Sequence, residues 1–433
     1  MKEKREPGDR RANPRVIVIG GGPAGLLAAG YAARQGAEVV LLEKMHKPGL
    51  KLGITGKGRC NVTNAAPLRE FLAHFGTQGR FLRQALNRFS PQDLQELFAS
   101  IGIATVVERG GRVFPEHLRA PAVASRLTEW VKKGGVRVQT HTEVLGVTAT
   151  RDRVTGVRIR GEQGESVWPC HALIVATGGA SYPQTGSTGE GASWMTALGH
   201  TVVPCRPALV PLETAGDTAA RLQGLSLRNV EVSLWLRGKK TAQAFGEMVF
   251  THFGVSGPVV LELSQQAVDL LRNGECPELC IDLKPALDET KLDARLLRDI
   301  QHKGKKQIAN WLRDLLPTSL IPICLEATGL DGSLQAGQMT ARQRRNLKMW
   351  LKYFPLPLTG YRGFEEAIVT AGGVALQEVD PRTMQSKLVP GLYLAGEILD
   401  LAADTGGYNL QAAFSTGVVA GEAAGIAVSR STG

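Results

Sequence analysis

Long apolar runs, paired cysteines and a leader-like N-terminus are what this chain has least of. No stretch approaches the roughly 18–20 consecutive apolar residues that cross a bilayer, so no membrane partner is expected. The first 15 residues hold six Lys/Arg and three Asp/Glu around no apolar core, unlike a secretory signal, and a cytoplasmic protein is expected. Cys60, Cys170, Cys205, Cys276, Cys280 and Cys324 are scattered. Cys276 and Cys280 lack the second pair that a zinc site needs, so the expectation is reduced thiols and no metal. No internal repeat or low-complexity stretch stands out.

What the chain does have is length, glycine and positive charge. Its 433 residues, 43% of them hydrophobic, suffice for two or three domains. The 51 glycines exceed the usual share of about 7% and cluster in discrete loops, as tight turns and close backbone approaches to a ligand require. The net charge is +11, and residues 291–352 hold twelve Lys/Arg against five Asp/Glu. Such a patch attracts RNA, DNA or anionic cofactors, or it forms solvated helix faces.

Residues 15–19 read as a short buried strand, 24–35 as a small-residue helix and 39–42 as a second strand. Between the first two lies Gly20-Gly21-Gly22-Pro23-Ala24-Gly25. In this βαβ context a G-x-G-x-x-G is informative. Gly20 lets the chain turn, Gly22 lets backbone approach a pyrophosphate, and Gly25 lets the helix pack on the strand. Glu43 ends the second strand, placed to accept hydrogen bonds from a ribose diol.

That unit alone does not separate FAD from NAD. The C-terminal block does: Gly396-Glu397 after a strand, then Gly406-Gly407-Tyr408-Asn409-Leu410 opening a small-residue helix. A helix N-terminus with amides from Asn409 and Leu410 suits the negative charge of a reduced flavin ring. Residues 173–176 form another buried strand running into Thr177-Gly178-Gly179, which lacks a third glycine at the right spacing. A nicotinamide donor, NAD(P)H, is therefore expected to bind transiently.

Residues 135–150 look like a strand pair, and 202–236 have a proline-rich, alternating β texture. Residues 292–316 and 340–354 are helical in period and basic. On the second of these helices Leu347, Trp350, Leu351 and Phe354 share one face; Arg342, Arg345, Lys348 and Lys352 populate the other. The fold class expected is α/β. A Rossmann-like two-part FAD-binding domain (1–200 and 360–433) carries a β-barrel-like insert (201–285 and 320–360) and a basic helical insert (286–350).

The run Lys51-Leu52-Gly53-Ile54-Thr55-Gly56-Lys57-Gly58-Arg59-Cys60-Asn61 resembles the K-x-x-x-[ST]-G-x-G-R-C-N signature of the BaiN/RdsA family of NAD(P)/FAD-dependent oxidoreductases. Phe250-Thr251-His252-Phe253-Gly254-Val255-Ser256-Gly257-Pro258, Val369-Thr370-Ala371-Gly372-Gly373-Val374 and Thr383-Met384-Gln385-Ser386-Lys387 agree with it in order. Lys57 departs from the commoner motif, which has another glycine there. The resemblance implies the two-part FAD domain with barrel-like and helical inserts. It also implies reduction of a C=C bond, either in bile-acid-type enones or in uridine of large-subunit ribosomal RNA. Thr188-Gly189-Glu190-Gly191 additionally resembles the T-G-D-G element of fumarate-reductase-type flavoproteins.

The expected FAD contacts are Gly20, Gly22, Pro23, Ala24, Gly25, Glu43, Lys44, Thr55, Gly56, Arg59, Asn61, Val144, Thr177, Gly178, Gly396, Glu397, Gly407, Asn409 and Leu410. Alkene reduction also needs a proton donor within hydrogen-bond reach of the carbon beside the hydride acceptor. Cys60, His252 and Tyr408 are the candidates, with Lys57 or Arg59 polarising a carbonyl. Cys60 reads either as a thiol pushed towards thiolate by Lys57 and Arg59 or as a small buried filler. His252 is catalytic or structural, Tyr408 catalytic or packed, and Arg59 binds phosphate or pairs with a carboxylate. Arg342, Arg345, Lys348 and Lys352 are the expected RNA contacts. A flavin-bearing RNA-binding or redox-sensing factor without enzymatic activity is a further reading.

Overall fold

In the computed structural model, residues 16–151, 153–161 and 164–430 are described. Arg15, where the first strand was expected to start, and the charged N-terminal arm lie outside them. The chain divides into two compact units, Met1–Arg206 with Val369–Gly433, and Pro207–Ile368.

The first unit is built on a five-stranded sheet ordered Leu392–Leu394, Ala172–Val175, Val16–Ile19, Val39–Leu42 and Arg137–Gln139. All its pairs are parallel. Parallel strands are covered on both faces and so read as unbroken apolar runs; VIVI, VVLL and ALIV are buried at every position. Helix Pro23–Arg34 follows the first strand, its proline in the opening turn where a missing N–H costs nothing. Residues 135–150 split rather than pair. Arg137–Gln139 joins the parallel sheet, while Glu143–Ala149 enters an antiparallel meander with Val154–Gly161 and Gly164–Pro169. His141, at φ 51°, lies in the turn that separates them.

The last helix, Tyr408–Arg430, has an apolar 18-residue window of mean hydropathy 1.3 and is long enough to cross a bilayer. That corrects the expectation that no segment comes close. The window is 72% buried inside the protein, and the burial has a specific partner. Cβ atoms added at Gly417, Gly421 and Gly425 would lie 2.3, 2.3 and 2.8 Å from the carbonyl oxygens of Ala24, Ala28 and Ala32. Glycine every fourth residue, facing small residues every fourth residue, lets the two helices meet backbone to backbone.

The second unit is a closed six-stranded barrel, in the order Leu212–Thr214, Gly254–Ser256, Lys239–Phe250, Ser226–Leu236, Glu278–Asp282 and Phe354–Tyr361. Between the last two strands run helices Glu289–Lys303, Ile308–Trp311, Leu320–Thr328 and Ala341–Lys352. Their Leu292, Trp311, Leu347 and Leu351 share one core with Ile281 and Phe354 of the barrel. Thr340 caps the last of these helices in a capping box with Gln343. That helix stops at Lys352, short of the expected Phe354, because Pro355 disfavours helical backbone at the residue before it.

Candidate functional site

Of the three fingerprint glycines in the turn, Gly20, Gly22 and Gly25, two are explained by the protein itself. A Cβ at Gly20, whose φ is +97°, would lie 2.5 Å from the Ala176 carbonyl oxygen; one at Gly25 would lie 1.8 Å from that of Gly20. Gly22 is different. Its φ of −74° suits any residue, and a Cβ there meets nothing within 4 Å. Open space before a helix N-terminus is the cradle that a pyrophosphate fills, so this turn fits FAD. Pro23 and Ala24 are the first two residues of the helix behind that cradle.

Glu43 braces the turn. Its Oε2 accepts from the Gly21 N–H and its Oε1 from the Met45 N–H, both at 2.8 Å. Burial pushes its carboxyl pKa up against the lowering effect of those two amides. Each oxygen keeps a second lone pair for a ribose hydroxyl. Lys44 turns elsewhere, donating to Thr188 at 2.8 Å and Glu190 at 3.0 Å.

Glu397 is also engaged. Its Oε1 accepts from the Thr370 N–H at 2.6 Å, and its Oε2 pairs with Lys51 Nζ at 2.7 Å. Thr370 Oγ1 in turn accepts from the backbone N–H groups of Ala180 and Ser181. Lys51 was missed as a site residue although it opens the signature run; its partner is 346 positions away. Gly178, at φ 75°, lies in the same neighbourhood, where its Cβ would come within 4.0 Å of Glu397 Oε2. Thr177 Oγ1 is buried without a partner.

The signature loop coils through left-handed backbone at Gly56 (φ 57°), Lys57 (55°), Gly58 (82°) and Cys60 (62°). Thr55 donates its hydroxyl to the Leu52 carbonyl. Asn61 Oδ1 is buried without a partner, next to Gly407, whose Cβ would lie 3.0 Å away. Arg59 forks onto Glu108 and lies 4.2 Å over the Phe114 ring, the carboxylate-pairing outcome of its two readings.

Three candidate residues in this unit are enclosed by protein. Cys60 is 0% exposed, and burial pushes its thiol up to about 11, the buried-filler outcome of its two readings. Tyr408, 5% exposed, stacks on His74 at 3.9 Å and meets Phe71 edge-on at 4.9 Å, so its ring is held by packing. Val144 is a core residue, 7% exposed. The Asn409 side chain closes its own loop, accepting from Ala403 N–H and donating to the Ala403 carbonyl; its backbone and that of Leu410 lie in the first turn of the last helix.

In the second unit His252 is exposed and lines a groove of about 380 Å³ with Gln223, Phe250, Phe253, Ser256 and Glu366. Its ring meets Phe253 edge-on at 5.0 Å. Of the four cations expected to bind RNA, Arg342 and Arg345 are exposed. Lys348 pairs with Glu289 at 3.5 Å. Lys352 is 11% exposed and committed to Asp282 and to the Leu287 carbonyl. Buried and paired, Lys352 is not a surface contact, which corrects its assignment. Among the described residues no group of three His, Cys, Asp or Glu is placed to hold a metal.

A Rossmann-type turn, an open cradle at its helix N-terminus and a converging C-terminal glycine block define an FAD-dependent oxidoreductase. The chain belongs to the family described as HI0933-like protein Rossmann domain, whose model matches residues 14–423. It is 32% identical to the 3-dehydro-bile acid delta(4,6)-reductase of Clostridium scindens, covering 95% of this chain and 98% of that protein. It is also 32% identical to the ribosomal RNA dihydrouridine synthase of Escherichia coli, over 93% of this chain and 95% of that one. The BaiN/RdsA resemblance is borne out. A flavocytochrome c3 fumarate reductase shares the fold, with a TM-score of 0.52 at 18% identity, covering 96% of this chain and 78% of that structure.

Proposed function

We propose that this flavoprotein reduces the C=C bond of uridine in large-subunit ribosomal RNA to dihydrouridine, with NAD(P)H as the transient electron donor. The observation that carries the RNA reading is charge placement. Arg342 and Arg345 stand exposed on a helix within a segment holding twelve Lys/Arg against five Asp/Glu. Cations at a surface bind phosphates by releasing counterions, and a base extruded from RNA can reach a flavin. The ribosomal RNA dihydrouridine synthase of Escherichia coli, aligned nearly end to end, supports the same reading.

Once reduced by NAD(P)H, FAD held here would supply a hydride to one alkene carbon; the protein must orient the alkene and deliver a proton to the other. Gly20, Gly22 and Gly25 shape the turn that would hold the pyrophosphate, with Glu43 towards the ribose. The first turn of the helix from Tyr408 offers amides to negative charge on the ring. Of the three proton-donor candidates, Cys60 and Tyr408 are enclosed by protein, and His252 is exposed in the second unit.

Mass spectrometry of ribosomal RNA nucleosides from a deletion strain and its complemented counterpart tests the substrate. Loss of a dihydrouridine, restored on complementation, is expected. Unchanged dihydrouridine would turn the assignment to a small-molecule enone, the reading supported by the Clostridium scindens relative. NAD(P)H oxidation without any reduced product would leave a redox-sensing factor.

A further inference from the structure

The basic helix is not the one cationic surface on the molecule. On the first unit, strand Arg112–Pro115 lies between Thr63–Asn64 and Thr105–Val107 and brings two arginines onto one aromatic ring. The Arg59 guanidinium lies 4.2 Å from the Phe114 centroid and that of Arg112 lies 5.8 Å away. Arg112 Nε donates to the Arg109 carbonyl at 3.1 Å, holding Arg109 at the same corner. Lys57, two residues before Arg59, is exposed, as are all three arginines. Glu108 pairs with Arg59, while among the described residues no ion pair engages Lys57 or Arg109. Arg59 and Arg112 thus flank one carboxylate, with Lys57 and Arg109 close to them in the chain.

Backbone geometry makes Lys57 the most telling member. Its φ of 55° lies between those of Gly56 and Gly58, at 57° and 82°. Glycine occupies this left-handed region freely and an L side chain does not. At the middle of three such residues the chain carries a long cation where glycine would fit without strain. Packing does not explain the choice, because the side chain is exposed.

We propose that Lys57, Arg109 and Arg112, beside the Arg59–Glu108 pair, form a surface that binds the phosphodiester backbone of RNA. The proposal deepens the RNA reading above and rests on it. With its Nε on the Arg109 carbonyl, the Arg112 guanidinium is oriented so that its terminal N–H groups present donors in a fixed plane, which suits phosphate oxygens. Exposed Lys57, Arg109 and Arg112 suit a polyanion with repeating phosphates. Phosphate contacts of this kind position the nucleic acid without reading its sequence.

The test is binding of an in vitro large-subunit rRNA transcript to FAD-loaded full-length protein across a KCl series. Each phosphate contact contributes about 0.7–0.9 to the slope of log affinity against log salt. Arg109→Ala with Arg112→Ala should lower that slope by about 1.5, and Lys57→Gly by about 0.8. Lys57→Gly should also keep or raise the thermal midpoint, since glycine relieves the left-handed backbone. Should the double variant misfold, shown by a lost flavin spectrum, Lys57→Gly alone carries the test. Unchanged slopes in folded variants that still bind RNA would overturn the surface and leave the RNA reading standing. Absence of RNA binding by the unmodified protein would overturn the reading, and the surface with it.

Discussion

The two units solve the problem of a dense interior with different emphasis. In the glycine-turn unit the tightest contacts are backbone on backbone: Gly25 against the Gly20 carbonyl, and Gly417 and Gly421 against those of Ala24 and Ala28. In the barrel unit the interior is filled by large side chains, with Trp311 and Phe250 almost wholly buried and Trp350 tilted against Phe354 at 4.8 Å. The first design holds its ligand turn and helix axes rigidly because no side chain intervenes. The second fills space with groups that can be trimmed. The difference is one of emphasis, since the first unit also buries Phe71, Phe98 and Phe414, and in the barrel unit a Cβ at Gly254 would lie 2.1 Å from the Leu212 carbonyl oxygen.

The largest effect expected on stability is therefore a deletion in the barrel unit. Trp311→Ala should cost about 3–5 kcal/mol, read as a lower urea midpoint; a smaller cost would mean that the helices do not share the barrel's core. Next comes an addition in the other unit. In Gly421→Ala a single methyl arrives 2.3 Å from the Ala28 carbonyl oxygen and should cost about 1–3 kcal/mol. A neutral or stabilising result in the same urea titration would break the contrast between the units, since alanine otherwise favours a helix over glycine.

The smallest effect sharpens the contrast from the polar side. His200 is 3% exposed, its Nδ1 3.0 Å from Glu378 Oε2 and its Nε2 2.9 Å from Ser386 Oγ. Ser386 Oγ already accepts from the N–H groups of Leu388 and Val389, so its own hydrogen points to Nε2 and the imidazole is neutral. Burial lowers the His200 pKa from 6.5, against the raising influence of Glu378. A lowered folded-state pKa gives stability that is present above 6.5 and lost as the pH falls below it towards the lowered value. Urea midpoints of the protein and of His200→Gln, compared between about pH 7 and about pH 5, should converge on acidification. Parallel profiles would show that His200 does not titrate in this window.

What the sequence made legible follows the same division. The glycine turn, the parallel strands and the last helix could be read because backbone contact leaves glycine and alanine at fixed spacings. The basic helix could be placed but its chemistry could not. Asp282, which takes Lys352 out of solvent, lies 70 positions away, and no local pattern records such a pairing. Burial of Cys60 was hidden similarly, since charged neighbours in sequence do not report what covers a side chain. The early stop of the basic helix was visible in Pro355 and was missed by following periodicity alone.

The last helix also fixes the order in which the molecule can be completed. The hydroxyl of Ser429 reaches the carbonyl of Gln35 across 394 positions, and strand Leu392–Leu394 pairs with Ala172–Val175. During synthesis from the N-terminus, the first sheet and its helix therefore wait with apolar surface uncovered until strand Leu392–Leu394 and the last helix have been made. The barrel unit, continuous in sequence from Pro207 to Ile368, has all its strands well before then. The interior that is read first is closed last, which places the chain's greatest exposure to aggregation in the interval between.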